Sequence, residues 1–336
     1  MSDYITLNHG SGGRASSELI QEVFIKSFGS GDDFLTDSAI LTFSGNKIAF
    51  TTDSFVVNPV FFPGGDIGKL SICGTVNDLA VSGAIPKYIS ISFILEEGLP
   101  VGDLKKITES IALEAKIAKV KIVTGDTKVV PKGKCDKIFI NTTGIGIFND
   151  DLEHLSQGGK INPGDKIIVN GTLGDHSVAV LGARNEIDFN VDVKSDCACL
   201  NHLIADILDK GIKVKFMRDI TRGGLATILN ELARMKNLGI DINEKEIPVV
   251  ESVMGICEIL GFDPMYLANE GKVLLVVDPD DADRTIQSLR NHALGYLGVV
   301  IGEVVNDHPN MVIGRTRVGG KRIIDSLQGE QIPRIC

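Results

Sequence analysis

Runs rich in Ile, Val, Phe and Thr alternate along this chain with apolar residues recurring at three- and four-residue steps. The alternation occurs twice, on either side of a Gly-, Pro-, Asn- and Asp-rich connection, NDDLEHLSQGGKINPG, at 149–164. In the first series, Lys47–Asp53, Ile89–Leu95, Val120–Val123 and Lys137–Phe148 read as strands, with the β-branched and aromatic content and partial period-two alternation that a half-buried sheet requires. Between the second and third of these, Leu104, Ile107, Ile111, Ala115 and Ala118 fall on one helical face, and 68–82 reads as a helix closed by Gly83 and Pro86. The second series predicts strands at 166–170, 214–218, 272–278 and 299–304, with helices at 200–210, 224–236, 250–260 and 281–292. The pattern implies an α/β chain (α+β, with mixed sheets) of two domains, 1–150 and 151–326. At 336 residues, each half is long enough to bury its own core. The last ten residues, LQGEQIPRIC (327–336), carry no periodicity, and Pro333 blocks a terminal helix, so they are expected to form a flexible arm.

Charge and hydropathy remove several function classes. Asp and Glu exceed Lys and Arg by 44 to 34, a net charge of −10, which disfavours a nucleic-acid surface. No apolar run approaches the ~18 residues of a membrane span, and the N-terminus has no signal-peptide pattern, so a cytoplasmic, non-membrane protein is expected. The six cysteines lack zinc-finger spacing; Cys73, Cys135 and Cys257 read as small buried hydrophobes. Cys197 and Cys199 would suit a soft metal, but the sequence shows no further paired ligand, and packing is the preferred reading. Cys336 differs because it ends the chain.

Some motifs fail on inspection. PGGDIGKL (63–70) resembles a phosphate-binding loop but has Pro63 and Leu70 where Gly and Ser/Thr belong, and no dinucleotide fingerprint or serine-hydrolase elbow occurs. Asp37 lies in TDSAI, Asp53 ends one strand pattern and Asp126 follows another. These last two carboxylates are expected to project from strand ends into one cleft, and Asp78 with Asn77 sits on the helix after PGGDIGK. Together the four Asp residues suit a hard divalent cation with a polyphosphate; singly, each is explained as a turn cap. HGSGG (9–13) presents consecutive backbone N–H groups ahead of a helix, a second anion candidate. In RDITRGG (218–224), Arg222 is placed to clamp a phosphate with Asp219 orienting it. In NEGK (269–272), Glu270 and Lys272 read as a base with a charge partner or as an exposed pair, and Lys128 beside Asp126 has the same ambiguity. His176 reads as a surface histidine.

Taken together, HGSGG, TTDSFVVNPVFFPGGDIGKLSICGTVNDLAVSGAIP, EEGLP, VTGDTKVV, GTLGDH, RDITRGG, ANEGK and the terminal PRIC resemble the HypE family of hydrogenase maturation proteins. That family lies within the superfamily of aminoimidazole ribonucleotide synthetase (PurM), selenophosphate synthetase and thiamine-monophosphate kinase. The resemblance implies a PurM-like two-domain fold, its N-terminal lobe forming a shared sheet or barrel across a homodimer, and a cleft for ATP and Mg²⁺. It implies nucleotide contacts at Gly10, Ser11, Gly12, Gly13, Asp53, Asn77, Asp78, Thr127 and Arg222, and metal contacts at Asp37, Asp53, Asp78 and Asp126. The implied chemistry is ATP-dependent dehydration of a carbamoyl group, received from HypF on Cys336, to a thiocyanate. Its cyanide would pass to iron on a HypC–HypD complex for the Fe(CN)₂CO centre of [NiFe]-hydrogenase. Glu270 is expected as the base, with Lys128 polarising the carbamoyl oxygen or the γ-phosphate.

Overall fold

The computed structural model describes residues 6–10, 13–25, 38–43, 46–148, 152–184, 192–327, 329, 332 and 334–336. After a short helix α1 (Arg14–Leu19), the first lobe is built on strands β1 (Ala39–Phe43), β2 (Asn46–Phe55), β5 (Ile85–Glu96), β6 (Lys121–Val130) and β7 (Ile138–Ile147), in the spatial order β1-β2-β7-β5-β6. A two-residue ladder, β3 (Phe61–Phe62) with β4 (Gly65–Asp66), leads into helix α2 (Ile67–Val81). Among the described strands of this sheet only β5 and β6 run parallel, and their crossover is helix α3 (Val101–Ala118), the long connection a parallel pair needs. Along β7, Ile138, Ile140, Thr142 and Gly144 point inward onto α2. A Cβ at Gly144 would lie 2.5 Å from Thr75 Cγ2, so the glycine is what lets the helix settle on the sheet. The opposite face is uncovered among the described residues, and Leu41, Phe50, Tyr88, Ile94 and Ile147 are exposed on it.

The second lobe's sheet has the order β14-β13-β10-β12-β8-β11-β9. Its strands are β8 (Lys166–Val169), β9 (Val214–Asp219), β10 (Gly239–Asn243), β11 (Val273–Val277), β12 (Val299–Val305), β13 (Val312–Arg315) and β14 (Lys321–Ile324). Helices α4 (Asp175–Ala183), α5 (Asn201–Leu208), α6 (Gly224–Lys236), α7 (Glu251–Leu260) and α8 (Ala282–Arg290) surround it. Strand β11, VLLVV, is apolar without alternation because both its faces are buried. Val273, Leu275 and Val277 join Leu203 and Ile207 of α5, while Leu274 and Val276 join Leu225 and Leu229 of α6. The lobes share a further core in which Phe55, Val57 and Ile67 meet Val178, Val253 and two residues of the chain end, Ile332 and Ile335. No described helix is long and apolar enough to cross a membrane.

Some local expectations change. Strand β6 does not stop at Val123 but carries Asp126, Thr127 and Lys128 in its body, and β2 continues past Asp53 to Phe55. The short strands β1, β10, β13 and β14 leave too little periodicity to be read from sequence. Cys135 is half-buried rather than buried.

Candidate active site

The chain's end forms the centre of the site. Backbone N–H groups of Val56 and Asn58 donate to a terminal carboxylate oxygen of Cys336 (3.1 Å) and to the carbonyl of Arg334 (3.2 Å), so the terminus pairs with the segment that follows β2. Arg184 bridges the same two strands, its Nε donating to Asn58 O at 2.8 Å and its terminal nitrogen to Arg334 O at 2.9 Å. The Arg334 guanidinium pairs with Asp136. Between these contacts, Ile335 is buried and its carbonyl lies 2.8 Å from His176 Nε2. The expected arm is therefore anchored at its tip. Burying Ile332 and Ile335 contributes roughly 3–6 kcal/mol, close to the roughly 1–2 kcal/mol per residue that ordering a few tail residues costs. The hydrogen bonds and the ion pair just described come in addition to that burial. A cavity of about 160 Å³ opens beside Cys336, lined in part by Ser54, Arg222, Tyr266 and Leu267.

His176 is completely buried, which corrects its reading as a surface residue. A carbonyl can only accept, so Nε2 carries the proton given to Ile335. Nδ1 then accepts from Ser195 Oγ at 2.8 Å, and Ser195 Oγ itself accepts from Cys197 N at 3.1 Å. Burial lowers the imidazole's pKa against the opposing pull of Asp196, in keeping with this neutral form.

The Cys336 thiol is surrounded by charge. Its pKa is pushed up to about 12, first by burial and further by Glu270 and Asp53, with Arg222 opposing. Glu270 is buried, and its Oε1 has no hydrogen-bond partner among the described residues. Burial, then Asp219, Asp196 and Asp53, raise its pKa well above the carboxylate range, with Arg222 again opposing. Burial raises Asp53 as well, against Arg222. The Arg222 guanidinium is held still more firmly charged by Cys336, Asp53, Glu270 and Asp78. This excess of oxygen donors over cationic side chains suits a hard divalent cation such as Mg²⁺, with Asp53 and Asp78 the residues placed to hold it.

Glu270 is fixed from several directions. The Asp196 carboxylate accepts from the backbone N–H groups of Glu270 (3.2 Å) and Gly271 (3.1 Å), and Lys272 Nζ lies 3.6 Å from the same carboxylate. A Cβ at Gly271 would come 2.0 Å from Asp196 O, so only glycine allows this approach. Asn77 Nδ2 donates to Ala198 O (3.1 Å) and Glu270 O (3.3 Å), while its Oδ1 accepts from Leu200 N (2.7 Å). Asn269 Oδ1 accepts from Gly174 N at 2.8 Å. Asp196 was missed in the sequence because the amides it holds, those of Glu270 and Gly271, lie 74 and 75 residues on.

The predicted residues divide into groups. Asp53, Asp78, Arg222, Glu270 and Cys336 come together, with Thr51 Oγ1 donating to Asp78 Oδ2 at 2.8 Å. Asn77 is buried, with its amide engaged by backbone. Asp126, Thr127 and Lys128 stand apart within one protomer. The register Ser54–Asn141–Ser92–Asp126 puts Asp126 three strands, roughly 14 Å, from Ser54. It also puts Asp126 and Lys128 on the open face, opposite to the inward-facing Asp53, and the two pair with each other in solvent. The expectation that Asp53 and Asp126 project into one cleft therefore fails within a single chain. Gly10 ends a short helical turn, Leu7–Gly10, and Gly13 packs on the base of the tail, where a Cβ would meet Leu327 O at 2.3 Å. Ser11, Gly12 and Asp37 lie outside the described residues. At PGGDIGKL, Asp66 caps α2 by accepting from Gly68 N and Lys69 N, which occupies the amides a phosphate would need.

Residues 35–148 match the AIR synthase related protein N-terminal domain, and residues 162–314 match its C-terminal domain. Carbamoyl dehydratase HypE of Rhodobacter capsulatus is 48% identical over 335 residues, covering 99% of this chain and 98% of that protein. Among solved structures, a HypE–HypF complex is similar at a TM-score of 0.84 and 46% identity, covering 92% of this chain and 99% of that one. HypE in complex with ATP is similar at 0.82 and 43% identity, covering 99% and 100%. With a PurM-like pair of lobes and relatives matched end to end, this chain belongs to the HypE family of carbamoyl dehydratases.

Proposed function

We propose that this protein uses ATP to dehydrate an S-carbamoyl group on its own Cys336 to a thiocyanate, supplying cyanide for the Fe(CN)₂CO centre in [NiFe]-hydrogenase maturation. The observation that carries the reading is the seating of the terminal sulfur beside Glu270 and Arg222. A pocket that drives the thiol's pKa to about 12 disfavours the thiolate, whereas a carbamoylated sulfur has no proton to lose and meets no such penalty. Loading therefore belongs to the released tail, with HypF as the carbamoyl donor, and dehydration to the docked one. HypE found in complex with HypF supports that partner, and HypE in complex with ATP supports the nucleotide. A HypC–HypD complex is the proposed cyanide acceptor.

The chemistry follows from what the site can hold. An amide oxygen leaves poorly, so the γ-phosphoryl group of ATP is transferred to it as the nitrogen loses one proton. Departure of phosphate with the second N–H proton then leaves S–C≡N and ADP. Glu270, ionised with the help of Arg222 and the bound cation, takes the first proton on its unpartnered Oε1, the departing phosphate carries the second, and Arg222 balances charge on the phosphoryl oxygens. Mg²⁺ bound by Asp53 and Asp78 would supply charge neutralisation for the phosphates. Gly10–Gly13, Asn77 and Thr127 are proposed to serve the nucleotide site, Asn77 by bracing it. The open apolar face of the first lobe supports a homodimer, through which Asp126 and Lys128 of one protomer would reach the other's site. The test is to carbamoylate the protein and add ATP or a non-hydrolysable analogue. Loss of one water from the adduct with ATP alone is expected; loss with the analogue, or with no nucleotide, would overturn the reading.

A further inference from the structure

Away from these hard oxygen donors, the interface between the lobes holds a cluster of soft ones. Cys73 on α2, Glu114 on α3 and Cys199 ahead of α5 are all buried and point at one another. The two sulfurs are 3.5 Å apart, and Glu114 Oε2 lies 4.0 Å from Cys73 Sγ and 3.9 Å from Cys199 Sγ. Tetrahedral zinc, with Zn–S near 2.3 Å and Zn–O near 2.1 Å, sets its ligand atoms about 3.6–3.8 Å apart. The sulfur–sulfur separation is about 0.3 Å below the ideal of about 3.8 Å, and the two sulfur–oxygen separations are about 0.3–0.4 Å above the ideal of about 3.6 Å. Small side-chain shifts therefore bring the three atoms onto one face of a zinc tetrahedron. Among the described residues the cluster stops at these three ligand atoms, so a water would complete the tetrahedron. The other Glu114 oxygen, Oε1, lies 3.7 Å from Lys69 Nζ. Packing of apolar thiols would not call for a buried carboxylate against two of them, nor for a lysine aimed at that carboxylate.

We propose that Cys73, Cys199 and Glu114 bind one zinc ion that clamps the first lobe to the second. Binding releases two thiol protons as the sulfurs become ligands. Two thiolates and a carboxylate, set against the dication and the Lys69 ammonium, leave no net charge, where a four-thiolate zinc site carries two negative charges. The clamp sits behind the catalytic frame. Cys73 is one turn of α2 ahead of Asn77 and Asp78, and the segment carrying Cys197 and Cys199 also carries Asp196, which holds the Glu270 amide. The zinc is a brace and touches neither nucleotide nor carbamoyl group, so it stands or falls apart from the dehydratase reading.

The test uses the full chain as Cys336→Ser, to remove the tail thiol, stripped of metal and titrated with Co²⁺. The expected result is one equivalent bound, with the intense visible bands of tetrahedral Co²⁺, a sulfur-to-cobalt charge-transfer band, and displacement by Zn²⁺. Cys199→Ala and Glu114→Gln should each weaken binding at least about tenfold, while Cys257→Ala leaves it unchanged. Zinc should also slow alkylation of Cys199 in the otherwise unaltered chain, which keeps the test valid if a cysteine variant folds poorly. Absence of the charge-transfer band, its survival in Cys199→Ala, or a purified chain lacking two hydrogens through a Cys73–Cys199 disulfide would overturn the proposal.

Discussion

His176 Nε2 lies 2.8 Å from the carbonyl oxygen of Ile335, which makes a fully buried imidazole the latch on the residue before the terminal cysteine. The latch is neutral and held in one tautomer by Ser195, so it holds the tail by hydrogen bonding rather than by charge. It is one of several polar contacts that hold the tail, so its loss should raise the frequency of release.

His176→Ala should therefore increase the released population. Loss of a buried hydrogen bond costs roughly 1–2 kcal/mol, a shift of about 5- to 30-fold. Docked Cys336 is a protonated thiol, so alkylation reports release. The rate of iodoacetamide labelling, read on the C-terminal peptide, should rise by that factor; an unchanged rate would remove His176 as the latch.

Glu270 should oppose folding as the pH rises. Its native pKa is raised above the ordinary 4.5, so the folded chain keeps a proton that the unfolded chain gives up, and stability present below about pH 4.5 is progressively lost above it. Glu270→Gln removes that loss. Melting temperatures of the two proteins should lie close together at about pH 5 and diverge by about pH 8, with the variant higher. The same variant should lose dehydration by about 10²- to 10⁴-fold, the usual contribution of a general base. A variant that melts lower at the alkaline end would contradict the environment assigned to this carboxyl.

Asn77→Ala should act on stability. It deprives Leu200 N, Ala198 O and Glu270 O of a partner, so a loss on the order of 2–4 kcal/mol in urea unfolding is expected. Normal stability with weakened ATP binding would instead make Asn77 a direct nucleotide contact.

Asp126 offers a test of the dimer. If it serves its partner's site, Asp126→Asn and Glu270→Gln should each be inactive alone, yet an equilibrated mixture should recover about a quarter of the activity, since half the dimers are mixed and each has one intact site. No recovery on mixing would show that Asp126 does not act across the interface.

The readable parts of the sequence were those where one local pattern had one meaning. VLLVV could only be a strand buried on both faces, and the repeat from Leu104 to Ala118 could only be an amphipathic helix. Asp126 was harder, because GD in VTGDTK looks like a turn. There β6 runs straight through, and the alternation of an extended strand puts the carboxylate on the face opposite Asp53. His176 sits in the apolar stretch of α4, but nothing nearby in sequence names its partner, which lies 159 residues on. The same limit hid Cys73 from Cys199. A separation of 126 residues becomes 3.5 Å only when the lobes meet. Pairwise chemistry across lobes leaves no periodic trace, whereas burial does.

The central claim, that the reacting group rides on the last side chain, is tested most directly by fragment mass analysis of the C-terminal peptide after incubation with the carbamoyl donor and ATP. A carbamoyl group on Cys336, followed by loss of one water at the same sulfur and by neither change in Cys336→Ala, is the predicted result. A dehydrated adduct on any other residue, or ATP-dependent dehydration in a chain lacking Cys336, would contradict it.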